Sequence, residues 1–173
     1  GTTHAQYLRD TWAKETQRDM GHLYSHNLFV HLYLNGIYWG MYRVTERPDS
    51  SFMSDYAGGG EDDWDVLKSG KLVDGDRTAW DELQDLADAG LDDEAAYQAV
   101  IERLDLNNFV DYMILNHYGA NWDWDHHNWY AAGRRAPGGR FMFFSWDAEH
   151  VLENASGNNP NTNERGMPSS IYN

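Results

Sequence analysis

The sequence predicts an α+β fold, in which antiparallel hairpins stand beside a lobe of amphipathic helices. Three observations predict it. β-Branched and aromatic runs over residues 28–34 and 37–44 flank Asn35-Gly36, the pair favoured by a type I′ turn. Apolar residues recur at helical spacing from 78 to 118, and a second apolar pair of segments, 128–132 and 140–146, flanks Pro137-Gly138-Gly139.

Taken in order, Thr2 or Thr3 can cap a helix over residues 4–20, with Leu8, Trp12 and Met20 on its apolar face and Gly21 just past its end. Arg9, Lys14 and Arg18 fall off that stripe, so water is their expected surrounding. The first hairpin follows. Its second strand runs out through Arg43, Thr45, Glu46 and Arg47 to Pro48, where pairing stops for want of an N–H. An alternating charged set of this kind faces water as a rule; burial of Glu46 against a cation is the alternative.

Residues 49–77 read as irregular apart from a short helix over 51–56 and a short strand over 65–68. Gly58-Gly59-Gly60 is a hinge and not a phosphate cradle, because no helix N-terminus follows it. The acidic run that comes next lacks the spaced oxygen ligands of a calcium loop and reads as solvated. Lys68, at the end of the short strand, is one of the few cations able to approach a phosphate. Thr78 opens a helix that turns Trp80, Leu83, Leu86 and Ala87 inward and closes at Gly90. Asp92 caps the next, carrying Tyr97, Val100, Ile101 and Leu104, and Asp105 caps a third, carrying Phe109, Tyr112 and Met113. In the second hairpin the weak alternation of Arg140-Phe141-Met142-Phe143-Phe144 predicts a strand buried on both faces. The composition from Glu153 onward is that of a loop, with 154–173 read as a tail.

A chain of 173 residues, 41% of them hydrophobic, can bury the core of one domain. Its 13 basic and 28 acidic residues give a formal charge of −15, a field that repels nucleic-acid phosphates and anionic lipid. A nucleic-acid partner is excluded on that ground, and ATP would need bound cations and a local basic cluster. The absence of cysteine rules out disulfides, thiolate metal sites and a cysteine nucleophile. No run reaches the roughly 20 apolar residues of a membrane span. The first 20 residues lack the apolar core of a signal peptide, and Gly1 in place of Met suggests a processed or excised chain.

Chemistry concentrates in Asn121-Trp122-Asp123-Trp124-Asp125-His126-His127-Asn128 and in Ser145-Trp146-Asp147-Ala148-Glu149-His150. A kinase catalytic loop sets an Asp near the attacking hydroxyl, an Asn five residues on at a metal ion, and a second metal-binding Asp after the next hairpin. Asp123, Asn128 and Asp147 keep that spacing. Carboxylates and an amide oxygen are the hard ligands Mg²⁺ or Mn²⁺ prefers, with Glu149 as a further ligand in reserve. Three other readings stay open. His117, His126, His127 and His150 would suit zinc, although the adjacent pair His126-His127 cannot point to one side of a strand. Paired carboxylates among many tryptophans would suit a glycosidase. Trp122, Trp124 and Trp129 could form a binding platform without chemistry.

Four stretches resemble, in chain order, the motifs of the spore coat protein CotH kinase family. They are Leu34-Asn35-Gly36-Ile37-Tyr38-Trp39-Gly40-Met41-Tyr42 with Glu46 downstream, Asp105-Leu106-Asn107-Asn108-Phe109-Val110-Asp111-Tyr112, Asn121-Trp122-Asp123-Trp124 with Asn128, and Trp146-Asp147. The resemblance implies a two-lobed, atypical protein-kinase-like α+β fold over a single domain, 1–173. It also implies a secreted or surface-associated, spore-coat type of kinase that moves the γ-phosphate of ATP to Ser or Thr of a partner protein with Mg²⁺ or Mn²⁺. By that likeness Asp123 is catalytic, Asn128 and Asp147 are metal ligands, and Glu149 stands where the family tends to show an Asp. Glu46 partners a nucleotide-side lysine, and Lys68 is a candidate phosphate contact. Family members also carry an upstream glycine-containing strand pair and further C-terminal helices, so a partial domain is expected. A non-catalytic adhesion or assembly protein that keeps the fold is the alternative expectation.

Overall fold

Asn35 and Gly36 both take positive φ, 50° and 81°, as a type I′ turn requires. They close strand β1 (Asn27–Leu34) onto strand β2 (Ile37–Thr45) in an antiparallel ladder with one irregularity between Leu32 and Tyr33. The computed structural model describes residues 7–121 and 123–152, so the expected caps Thr2 and Thr3, the residue Trp122 and the tail 154–173 lie outside the described residues.

A second, four-stranded antiparallel sheet carries the core. Strands β3 (Trp64–Lys68), β4 (Lys71–Asp74), β5 (Trp129–Arg134) and β6 (Phe141–Ser145) lie in the order β4-β3-β5-β6. The alternation of side chains sorts it into two faces. Leu67, Trp129, Ala131, Phe141 and Phe143 pack on one side with residues from α3 (Thr78–Asp88), α4 (Glu94–Ile101) and α5 (Leu106–Tyr118). Trp64, Val66, Tyr130, Ala132 and Phe144 pack on the other with Phe52 and Met53 of α2 (Ser50–Ala57). Burial on both faces is what the weak alternation in β6 predicted. Asp49, Asp93 and Asp105 cap α2, α4 and α5 by accepting a backbone N–H three residues on, each cap contributing about 1 kcal/mol. Helix α1 (Tyr7–Asp19) lies against α5 and β6. With five helices and two antiparallel sheets among the described residues, the fold is α+β as predicted.

Four expectations need correction. The cap of α4 is Asp93 and not Asp92, because the helix starts one residue later. The segment 49–77 holds the additional strand β4, whose hairpin to β3 turns on Ser69 and Gly70, both at positive φ. Arg43 does not face water: its guanidinium reaches over to the carboxylate of Asp10. The largest correction is α1 itself, where Leu8 is exposed while Asp10, Ala13, Lys14 and Gln17 are buried. Positions 10, 14 and 17 share one helical face, and that face meets backbone groups of residues 143–148 along with the Arg43 guanidinium and the Trp146 ring.

The reason is the free edge of β6. An edge strand presents unpaired N–H and C=O groups that must be satisfied once buried. Gln17 donates to Phe143 C=O at 2.6 Å and accepts from Ser145 N–H at 2.9 Å, while Asn108 of α5 accepts from Phe143 N–H at 2.6 Å. At Phe141 the backbone of Arg103 and Asp105 pairs with this edge; from Phe143 to Ser145 two side-chain amides stand in for a further strand.

Candidate active site

The polar face of α1 continues past the end of β6 into the segment that carries Asp147. Asp10 Oδ1 accepts the N–H of Ala148 at 2.8 Å, and its Oδ2 takes Lys14 Nζ at 2.7 Å as well as the Arg43 guanidinium. Both carboxylate oxygens are therefore engaged, in a residue with no solvent exposure. Burial holds the Lys14 ammonium below its ordinary pKa, with the Asp10 charge opposing. Lys14 also stands 4.8 Å from the centroid of the Trp146 ring. The periodicity of the helix predicts Lys14 in water; its burial is explained by Asp10 four residues earlier on the same face.

The other half of the site is the loop between α5 and β5. Two indoles fix it from below: Trp124 Nε1 donates to Tyr112 Oη at 2.5 Å, and Trp129 Nε1 donates to the Asp125 carbonyl at 2.9 Å. Both tryptophans are buried, at 5% and 2% exposure, so they are core and not the open platform entertained above. Burial of the Tyr112 phenol raises its pKa far out of the working range, so it remains a hydroxyl.

Asn128 joins the two halves. Its Nδ2 donates toward the Asp123 carbonyl at 3.1 Å, Asp123 Oδ2 at 3.2 Å and the Asp147 carbonyl at 3.4 Å. Positions five and nineteen residues away in sequence are thus met by one amide nitrogen, whose two hydrogens are shared among three oxygens. Asn128 and Asp147 both sit at positive φ, 67° and 56°, a conformation Asn and Asp tolerate better than most residues. The family model described as CotH kinase protein matches residues 3–171. The chain belongs to the CotH kinase family. No curated protein matches it. Membership in the CotH family makes a kinase-like function the general expectation, with ATP and a divalent metal as its ordinary requirements.

The remaining site residues fall in three places. Glu149 lies beside Asp147, with Oε2 buried and unpartnered. Burial first, and the neighbouring Asp147 carboxyl second, push its pKa up to about 7. Two crowded carboxyls with an orphaned oxygen are what a hard-cation site looks like before the cation neutralises it, so these residues fit a divalent metal. Lys68 is exposed, with Nζ 5.6 Å from the Trp146 ring and 5.7 Å from Tyr130, next door in the chain to Asp147. Glu46 is half-exposed and bonds to His26 Nδ1 and to the Tyr56 hydroxyl, the latter at 2.9 Å; its placement is at the foot of the β1–β2 hairpin.

The four histidines do not gather. His150 is buried, and His117 packs its ring edge-on to Trp124. His126 and His127 lie instead in a loop, where the strand geometry invoked against their convergence does not apply. Sequence reading missed Asp10, Lys14, Gln17 and Arg43. Its available signal was the polar 10, 14, 17 spacing on a helix that also carries Ala13.

Proposed function

We propose that the chain is the core of a CotH-type protein kinase that transfers the γ-phosphate of ATP to a Ser or Thr hydroxyl of a partner protein at a cell or spore surface. The observation that carries this reading is the single Asn128 amide that reaches both Asp123 and the Asp147 segment. Asp123 orients the acceptor hydroxyl and takes its proton. As the hydroxyl oxygen bonds to the γ-phosphorus, the bond from that phosphorus to the bridging oxygen breaks and ADP leaves. Asn128 and Asp147, with Glu149 behind them, would hold Mg²⁺ or Mn²⁺. When bound, that ion supplies charge neutralisation across the β- and γ-phosphates. Lys68, exposed at the end of β3 with its ammonium over the Trp146 ring, would be the phosphate contact. Asp10, Lys14 and Gln17 act indirectly, by fixing the backbone from Phe143 to Ala148. Precise placement of this kind accounts for most of the rate in phosphoryl transfer.

The test is phosphate transfer from labelled ATP to a generic acceptor protein, or to the chain itself, in Mg²⁺ or Mn²⁺. Asp123→Asn is expected to lower kcat by at least about a hundredfold, the range over which a general base acts, while leaving ATP binding in place. Equal rates in the variant would remove Asp123 from its role. A second reading, a non-catalytic assembly protein, is favoured by one observation: the broad apolar exposure of the β1–β2 hairpin, including Ile37, Trp39 and Met41. Absence of transfer together with absence of ATP binding supports it.

A further inference from the structure

We infer that Asp123, His126 and His127 form a site for a borderline divalent metal ion of the Zn²⁺ class, distinct from the hard-cation position at Asn128 and Asp147. One ligand atom from each of the three lies within 4.8 Å of the others. Zinc bonds of roughly 2.0–2.1 Å put tetrahedral ligands about 3.3 Å apart. His127 Nε2 and Asp123 Oδ1, 3.0 Å apart, already stand at that spacing. The His126 ring meets the His127 ring edge-on with centroids 4.0 Å apart, and its side chain is 61% exposed, open to an ion from solvent. Asp125 Oδ1 lies 3.4 Å from His126 Nδ1, the position from which a carboxylate orients a metal-binding imidazole through its other nitrogen.

The loop is preorganised for this by the Trp124 and Trp129 hydrogen bonds, which hold the backbone at 124 and 125. Two imidazoles and one carboxylate select Zn²⁺, Ni²⁺ or Cu²⁺ over Mg²⁺, whereas Asp147, Glu149 and an amide oxygen do the reverse. The carboxylate of Asp123 is divided between the two positions, with Oδ2 toward Asn128 and Oδ1 toward His127. A metal on the histidine side ties up the group assigned to the acceptor hydroxyl. The site is therefore inhibitory, a consequence that rests on the kinase reading, whereas binding itself does not. The competing reading is a plain hydrogen bond from His127 that orients Asp123.

Visible absorption of Co²⁺, and calorimetric titration with Zn²⁺ in excess Mg²⁺, decide between them. The intact chain is expected to bind one Zn²⁺, and the double variant His126→Ala, His127→Ala to bind it at least about tenfold more weakly, the usual cost of losing metal-site residues, with unchanged thermal unfolding as the control for folding. Undiminished binding in the double variant, or no binding by the intact chain, overturns the site. In the transfer assay, with each protein normalised to its own metal-free rate, His126→Ala should shift the Zn²⁺ concentration for half inhibition upward by about tenfold. Zn²⁺ binding with transfer unaffected overturns the inhibitory role. Zn²⁺ binding in a chain that never transfers phosphate leaves the site standing and counts against the kinase reading alone.

Discussion

On α1 the side chains turned toward the protein are Asp10, Lys14 and Gln17, whereas on the β1–β2 hairpin the side chains left in water include Ile37, Tyr38 and Trp39. Consecutive strand residues point to opposite faces, so exposure at 37, 38 and 39 means that both faces of this hairpin are open. The two regions part company over what each must satisfy. Helix α1 borders a backbone edge and the turn that presents Asp147, so its polar groups are buried because they have partners there. The hairpin borders the rest of the chain chiefly at its base, through Arg43 to Asp10 and Thr11 to Asn27. In these two elements, unlike the four-stranded sheet, burial follows the backbone around the site more closely than it follows hydropathy.

The contrast can be broken first at Asp10. Asp10→Ala strands two cations and the Ala148 N–H, and is expected to destabilise the chain by about 3–5 kcal/mol in denaturant unfolding, as removal of one partner from a buried pair does. A loss below about 1 kcal/mol, the level of an exposed pair, would mean that the cluster is solvated. Gln17→Leu comes next. It keeps the volume but leaves Ser145 N–H unpaired and Phe143 C=O with the Asn108 Nδ2 bond alone, at a cost of about 1–3 kcal/mol. On the hairpin, Ile37→Ser is expected to change stability by less than about 0.5 kcal/mol, since exposed positions away from special features rarely do more. A cost like that of a core residue would show the hairpin to be covered in solution.

The smallest effect sharpens the site itself. Below the ordinary carboxyl value, near 4.5, Glu149 is protonated in both folded and unfolded chains; as pH rises through about 7 the folded chain must ionise a group that burial keeps neutral. Metal-free stability should therefore fall across that window. At pH 8, Glu149→Gln is expected to raise the metal-free Tm slightly and to weaken the Tm increase given by Mn²⁺. A lowered metal-free Tm would mean that the Glu149 charge is satisfied without a cation.

Much of this was legible in the chain. Asn35-Gly36, the Asp105 cap and the helical stripes of α3 to α5 each carry a local signal, and local signals do not depend on what packs against them. The Asp123, Asn128 and Asp147 spacing reads as a motif in the chain, and the structure puts Asn128 just before β5 and Asp147 just after β6, with Asp123 in the loop that precedes them. What failed was α1. Of its expected stripe Leu8, Trp12 and Met20, Trp12 packs against Leu115, Ala148 and Val151 while Leu8 is exposed, but the partner of the polar face is the edge of β6, more than a hundred residues away, and no local pattern announces it. The histidine pair was misjudged for a related reason: strand geometry was applied to residues that the Trp124 and Trp129 hydrogen bonds hold in a loop.

The most direct test is thermal unfolding with ATP and Mn²⁺, comparing the intact chain with Asp147→Ala and Asn128→Ala. The intact chain is expected to gain about 2.7 kcal/mol at ligand a hundredfold above its Kd, and both variants to lose most of that gain. A gain of the same size in all three proteins would contradict a shared cation position at Asn128 and Asp147.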